Sequence, residues 1–432
     1  MLYDLIIVGA GAAGLFAAAN APVDRKTLVL EKTDSPGQKL LLTGNGQCNL
    51  TNNEPIKAFL NRYGENGKRL RPVLFPFSNM ALMEYFEQNG LPLNVREDGK
   101  VFPASMKSVN VLNLLLDISK NRGVAFRYKN AVTEIMQQAE KGKSRYSVKT
   151  TDGLFFSKNV LVATGGESYP QTGSDGSFFT CLEKLGLRLV PRYPALVPVF
   201  VHHYNYSSLS GLTFPICKVE LTRGDSIPLP TGKNTVKAEG SLLLTHKGFS
   251  GPIILEISRY VTQGDRLAIN YLPQRTLEDL RTELINTAAG SSKQIVTILE
   301  SVTALPRGFL EHTCQRCGIN KSEKASRLTG SEMGNLAERL TSDSFEVSGT
   351  GGFSTAMTTA GGVSLDEINL QTMEAKRYPG LYFAGEVIDV DGDTGGYNLQ
   401  FAFSSAKRSI EAMQLLHRGC ETQLRVYAKD YI

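Results

Sequence analysis

The sequence predicts an α/β fold: a doubly wound, Rossmann-like sheet that binds a dinucleotide, interrupted by an inserted β-plus-helical unit. Three observations carry this. The apolar strand Leu5-Ile6-Ile7-Val8 runs into Gly9-Ala10-Gly11-Ala12-Ala13-Gly14, and that turn opens a helix over 12–20. A second strand, Leu28-Val29-Leu30, ends in the acid Glu31. Strand-then-glycine segments return at 160–166 and at 381–400, on either side of a long stretch of different texture.

Each element has a physical reason. Gly9 permits the tight turn, Gly11 lets the backbone approach a pyrophosphate, and Gly14 lets helix and strand pack closely. The pyrophosphate charge then sits on the free N–H groups of the helix start, with Ala12 and Ala13 in its first turn. Glu31, with Lys32 beside it, is placed to accept hydrogen bonds from a ribose 2′-hydroxyl and to repel a 2′-phosphate. The glycine- and asparagine-rich stretch 37–53 reads as too polar to be core. Helical spacing follows over 78–89 and 107–122. Segments 131–135, 146–150 and 154–156 alternate as a small antiparallel sheet, and 160–163 is a buried strand. Pro191, Pro194 and Pro198 mark a change to β-rich segments, which last to about residue 272; helical spacing covers 277–340. Gly349, Gly351 and Gly352 end that insertion, and a closing helix runs over about 398–416.

The chain has 432 residues, more than one core comfortably serves, with 41% hydrophobic and 21% charged residues. Its net charge of +5 comes from 47 basic and 42 acidic residues spread along the chain, which argues against a nucleic-acid groove. No apolar run is long enough to cross a bilayer, so no membrane partner is expected. Six cysteines without a secretory signal read as reduced thiols in the cytoplasm. Cys314 and Cys317 form a C-x-x-C behind His312, but no second ligand pair lies near them, so a structural role is expected and no metal.

Three further segments fit around the opening turn. In the 37–52 loop, Gly44 and Gly46 let the chain bend close to a ligand, and Lys39, Leu40, Cys48, Asn49 and Leu50 are its expected contacts. Ala163-Thr164-Gly165-Gly166 closes a strand where a doubly wound sheet holds its ligand, with Ser168, Tyr169 and Thr172 behind it. Gly385-Glu386 ends another strand, and Gly396, Asn398, Leu399 and Gln400 open the closing helix. A carboxylate after a glycine can bind a polyol chain, which FAD has and NAD lacks. The helix start would aim N–H groups at a ring that gains negative charge on reduction. Asp389, Asp391 and Asp393 share one loop but lack the bidentate Glu of a calcium loop.

These blocks, with 245–258 and 360–372, resemble the signature segments of the YhiN/BaiN-like family of NAD(P)/FAD-dependent oxidoreductases, also known as aminoacetone-oxidase-like flavoproteins. Cys48-Asn49-Leu50-Thr51-Asn52 and Gly395-Gly396-Tyr397-Asn398-Leu399-Gln400 are the most specific parts. The resemblance implies FAD in a domain discontinuous in sequence (1–190 and 346–432), an inserted β-barrel-like domain (191–275) and a small helical domain (276–345). It also implies that Val132 takes the adenine edge through its backbone, Glu386 the ribityl chain, and 398–400 the flavin end. Gln38 and Gln47 stand where the family often has arginine, so redox potentials do not transfer.

Cys48 has no cysteine partner within 43–53, which excludes dithiol–disulfide chemistry there. There is no second G-x-G-x-x-G, since 173–176 has the wrong spacing, so NADH or NADPH would dock transiently as electron donor. Tyr169, Tyr397 and His246 are the candidate acid–base residues. The expected activity is hydride exchange between flavin N5 and a small or medium organic substrate, chiefly reduction of an activated C=C bond of the bile-acid or steroid enone type. The alternatives are oxygen-dependent oxidation of a small amine and an FAD-dependent tRNA modification. The last would use basic residues such as Arg307, Arg316, Lys321, Lys324 and Arg327.

Overall fold

The computed structural model describes residues 1–140, 143–224 and 234–417; residues 418–432 of the expected second FAD-domain part lie outside the described residues. The chain divides into two compact units, Met1–Ala195 with the chain from Phe353, and Leu196–Gly352. In the first unit the elements that matter for the site are β1 (Leu2–Val8), α1 (Ala12–Asn20), β2 (Thr27–Leu30), α2 (Gln38–Leu42), α3 (Ser108–Asn121), β3 (Ala125–Arg127), β4 (Gly153–Val162), β5 (Leu381–Phe383) and α4 (Tyr397–His417).

The strands pair in parallel in the order β5-β4-β1-β2-β3. Val8 lies opposite both Leu30 and Val162, and Phe383 opposite Val162, so the carboxyl ends of four strands form one level edge. Strand residues such as Ile6, Ile7, Leu28 and Leu161 are fully buried, as expected of a sheet covered on both faces. On one face the small residues of α1 let α4 and α3 approach, and Phe16, Leu115, Phe403 and Ile410 share a core. The segments expected as separate strands at 154–156 and 160–163 are one long strand, β4. Its first half also pairs with a hairpin formed by Val132–Glu140 and Lys143–Thr150.

The 37–53 stretch departs from its expectation. It contains α2, and Leu40, Cys48, Leu50 and Thr51 are buried. Polar residues enter the core here because they find partners: Thr51 Oγ1 donates to Gln400 Oε1 (2.7 Å), and Cys48 N donates to Thr43 O (2.9 Å).

The second unit is a closed six-stranded barrel of Val199–Val201, Phe249–Ser250, Thr235–Leu244, Thr213–Thr222, Arg266–Asn270 and Asp343–Thr350, in that spatial order. Four helices, Leu277–Ala288, Ile295–Thr303, Arg307–Arg316 and Gly330–Thr341, share one apolar core with it, Phe309 and Leu336 packing in the same cluster as Phe249 and Ile269. Barrel and helices, expected as two domains, are thus a single compact unit, because Asp343–Thr350 returns from the last helix to complete the barrel.

Candidate active site

A cleft with about 1410 Å³ of empty space, open to solvent, lies along the carboxyl edge of the sheet in the first unit. Its walls come from the ends of β2, β1, β4 and β5, so it spans three strand spacings of about 4.8 Å, roughly 14 Å in all. Such a shape suits an elongated ligand lying across the switch of strand order.

The glycine turn works by close approach. Gly9 has φ +99°, and a Cβ on it would stand 2.6 Å from the Ala163 carbonyl oxygen. A Cβ on Gly14 would stand 2.0 Å from the Gly9 oxygen, which is why the helix can sit so close to β1. Gly11 faces open space in the cleft. Glu31 is held as an acceptor: Ala10 N donates to Oε2 (2.7 Å), and Thr33 N (2.8 Å) and Thr33 Oγ1 (2.9 Å) donate to Oε1. Those bonds fix the carboxylate in the lining, beside Lys32, whose ammonium reaches Asp175 at 2.6 Å across the cleft wall.

At the other end, Glu386 Oε1 accepts from Ser168 Oγ (2.6 Å) and Thr359 N (2.8 Å), and Oε2 lies 2.5 Å from Lys39 Nζ. Burial pushes the Glu386 carboxyl up, but Lys39 and its hydrogen bonds outweigh that and hold it below the usual carboxylate range.

Of the residues expected to touch the cofactor, Gly9, Gly11, Ala12, Ala13, Glu31, Lys32, Lys39, Leu40, Val132, Ala163, Thr164, Gly165, Gly166, Gly385, Glu386, Asn398 and Leu399 line the cleft. Gly14, Gly44, Gly46, Cys48, Asn49, Leu50, Gly396 and Gln400 do not. Gly44 and Gly46 shape a turn closed by its own hydrogen bonds, with Gly46 N on Thr43 O and Gln47 N on Gly44 O. Gly396, at φ +101°, packs against the Thr51 backbone, where a Cβ would meet Thr51 Cα at 2.6 Å. Gln400 spends its amide on Thr51, Phe77 O and Ser404 inside the core. Burial pushes the Cys48 thiol up to about 12, so it stays protonated. Gln47 accepts from Arg96 Nη2 (2.8 Å), which brings a guanidinium to a position the sequence left neutral.

The acid–base candidates fare differently from one another. Tyr397 is buried against Phe59 and Tyr63 and donates to Glu54 Oε1 (2.9 Å), away from the cleft lining; burial and that carboxylate raise its pKa. Tyr169 sits at φ +54° behind Ser168 and is outside the lining, whereas Thr172 is within it. His246 lies on an exposed turn of the barrel unit, where its carbonyl accepts from Ser207. In that unit Cys314 is buried in its helix with its thiol pushed up to about 12 by burial, and His312 packs on the Tyr206 ring. Among the described residues no cluster of histidine, cysteine or carboxylate side chains could hold a metal.

The structure adds lining that sequence reasoning missed: Thr33, Asn130, the loop from Gly173 to Phe179, and Met357 with Thr358. The 173–179 loop carried a signal, Gly173 and Gly176, which was read only for its failure to match a second fingerprint. Ser174 and Thr358 are among the lining residues, and their hydroxyls are buried with no partner among the described residues. Unpaired buried hydroxyls are costly unless a ligand satisfies them. Together with the Gly11 opening, the helix start, Glu31 and the anchored Glu386, they fit a dinucleotide with a ribityl chain.

Residues 3–411 match the family described as HI0933-like protein Rossmann domain. The chain belongs to this family. With it goes the Rossmann-type fold that the resemblance led us to expect. Its relatives include the ribosomal RNA dihydrouridine synthase of Escherichia coli (strain K12), 31% identical over 94% of this chain and 96% of that one. The enzyme of the same description from Haemophilus influenzae is 32% identical over 93% and 96%. The 3-dehydro-bile acid delta(4,6)-reductase of Clostridium scindens is 29% identical over 92% and 96%.

Proposed function

We propose that this family member reduces a C=C bond conjugated to a carbonyl, with NADH or NADPH as electron donor and FAD as carrier. The single observation that carries the reading is chemical: the activities for which its relatives are named, making dihydrouridine and reducing a 3-dehydro-bile acid, both saturate such a bond. The net reaction adds a hydride and a proton across the bond and leaves the oxidised nicotinamide. Between the two substrate kinds we favour a uracil of ribosomal RNA, because relatives of that description match at 31% and 32% identity. This reverses the weight that net charge alone gave to nucleic acid.

When bound, FAD supplies two-electron transfer between donor and substrate. The chain's own residues do the rest. Glu31, locked by Ala10 and Thr33, orients a ribose, and the α1 start faces phosphate charge. The N–H groups at the start of α4, around Asn398 and Leu399, favour negative charge at the far end of the cleft. With one dinucleotide turn among the described residues, the nicotinamide donor must visit and leave.

The test starts from the absorption spectrum of the purified protein and anaerobic titration with NADH and NADPH. The reduced protein is then offered unmodified transcribed ribosomal RNA, a Δ4,6-3-oxo steroid, or a small primary amine with the oxidised form. Dihydrouracil in the RNA supports the reading, and a saturated steroid moves the substrate while keeping the bond class. Bleaching by the amine with no reduction of either acceptor overturns it.

A further inference from the structure

Lys39, Ser168 and Glu386 meet in the cleft region from three parts of the chain: α2, the loop behind β4, and the end of β5. Lys39 Nζ also donates to Ser168 Oγ, so one hydroxyl bridges both charges, and Ser168 itself is fully buried. Only 22% of the Lys39 side chain and 19% of the Glu386 side chain remain exposed. A carboxylate needed only to accept hydrogen bonds from a ribityl chain could be a glutamine, and no ammonium would have to be drawn out of water beside it. What the pair offers, and neutral groups do not, is two opposite full charges at fixed places in the wall. Gln38 lines the cleft and donates to Ser35, so Lys39 is the cation of α2.

We propose that the Lys39–Glu386 pair sets the reduction potential of the bound flavin, Lys39 favouring the negative charge gained on reduction and Glu386 opposing it, with Ser168 holding both in register. The inference rests on the FAD reading above. At an intermediate effective dielectric an unmatched unit charge in the cleft wall changes an anion-forming equilibrium within about 10 Å of it by about tenfold or more.

The test uses FAD-loaded wild type, Lys39→Met, Glu386→Gln and the double variant, with dye-equilibration potentiometry and the dissociation constant of the flavin–sulfite adduct, which is anionic. Lys39→Met should weaken the adduct about tenfold and lower the potential. Glu386→Gln should tighten it about tenfold and raise the potential, and the double variant should return to within about threefold of wild type. Single variants that shift in the same sense, or that both stay within about twofold of wild type, overturn the proposal. If Glu386→Gln does not retain FAD, Lys39→Met against the charge-keeping Lys39→Arg decides it: Lys39→Arg must return the potential that Lys39→Met lowers, and equal potentials in the two refute it. A wild-type protein that takes up no FAD sinks the cofactor reading instead, a different and visible failure.

Discussion

Gly11→Ala and Gly14→Ala separate ligand contact from packing within one turn. A Cβ on Gly14 would lie 2.0 Å from the Gly9 oxygen and 3.1 Å from its carbon, both backbone atoms. The helix must therefore retreat by roughly 1 Å, and such overpacking costs about 1–3 kcal/mol. For a unit of this size that lowers Tm by about 2–5 °C. Gly11 has φ −79° and ψ −170°, open to any residue, and nothing stands within 4 Å of its Cβ. Gly11→Ala should leave stability within about 1 kcal/mol of wild type. Its methyl enters the cleft, however, where a backbone must meet phosphate. The same overpacking of about 1–3 kcal/mol, now expressed in binding, weakens FAD by about 5- to 150-fold. Thermal melts of the FAD-free proteins and quenching of flavin fluorescence on titration measure the two effects. Gly11→Ala with wild-type FAD affinity, or Gly14→Ala with an unchanged melt, would refute the reasoning.

Three other outcomes follow from the structure. With its thiol pushed up to about 12 and buried, Cys48 should resist iodoacetamide at pH 8 in the native protein, as peptide mass spectrometry would show; fast alkylation there would contradict this placement. Asp343 is fully buried and accepts from Tyr206, Arg316 (2.8 Å) and Arg339 (3.1 Å), so Asp343→Ala should destabilise the barrel unit by about 3–5 kcal/mol in urea unfolding. A loss under about 1 kcal/mol would show the network to be idle. Glu386 has its folded pKa held below its unfolded value of about 4.3, so its contribution is full above that value and fades as pH falls through the folded one. Glu386→Gln should flatten the acid limb of stability against pH, and an unchanged limb would assign that fall to other carboxylates.

Much of the site was legible because it is local. Gly9, Gly11 and Gly14, with Glu31 at the end of β2, are read from spacing alone, since a strand, turn and helix are fixed by neighbours along the chain. Family signatures were harder to convert into contacts. Gln400 looks like a ligand residue by its chemistry, yet its amide meets Thr51 across a long separation in sequence, and Cys48 and Leu50 are buried in the core. Tyr397 looked like an acid and is spent on Glu54.

The sequence by itself determined the sheet, the dinucleotide turn, the carboxylate at Glu31 and the presence of an interrupting insertion, because hydrophobic period and glycine spacing act within a few residues. Only the tertiary structure decided that β-rich and helical stretches form one unit, since the closing barrel strand comes from beyond the helices. The same holds for the joining of Lys39, Ser168 and Glu386. A charge pair assembled from residues 39 and 386 has no local signature. It exists because parallel strands bring distant loops to one edge.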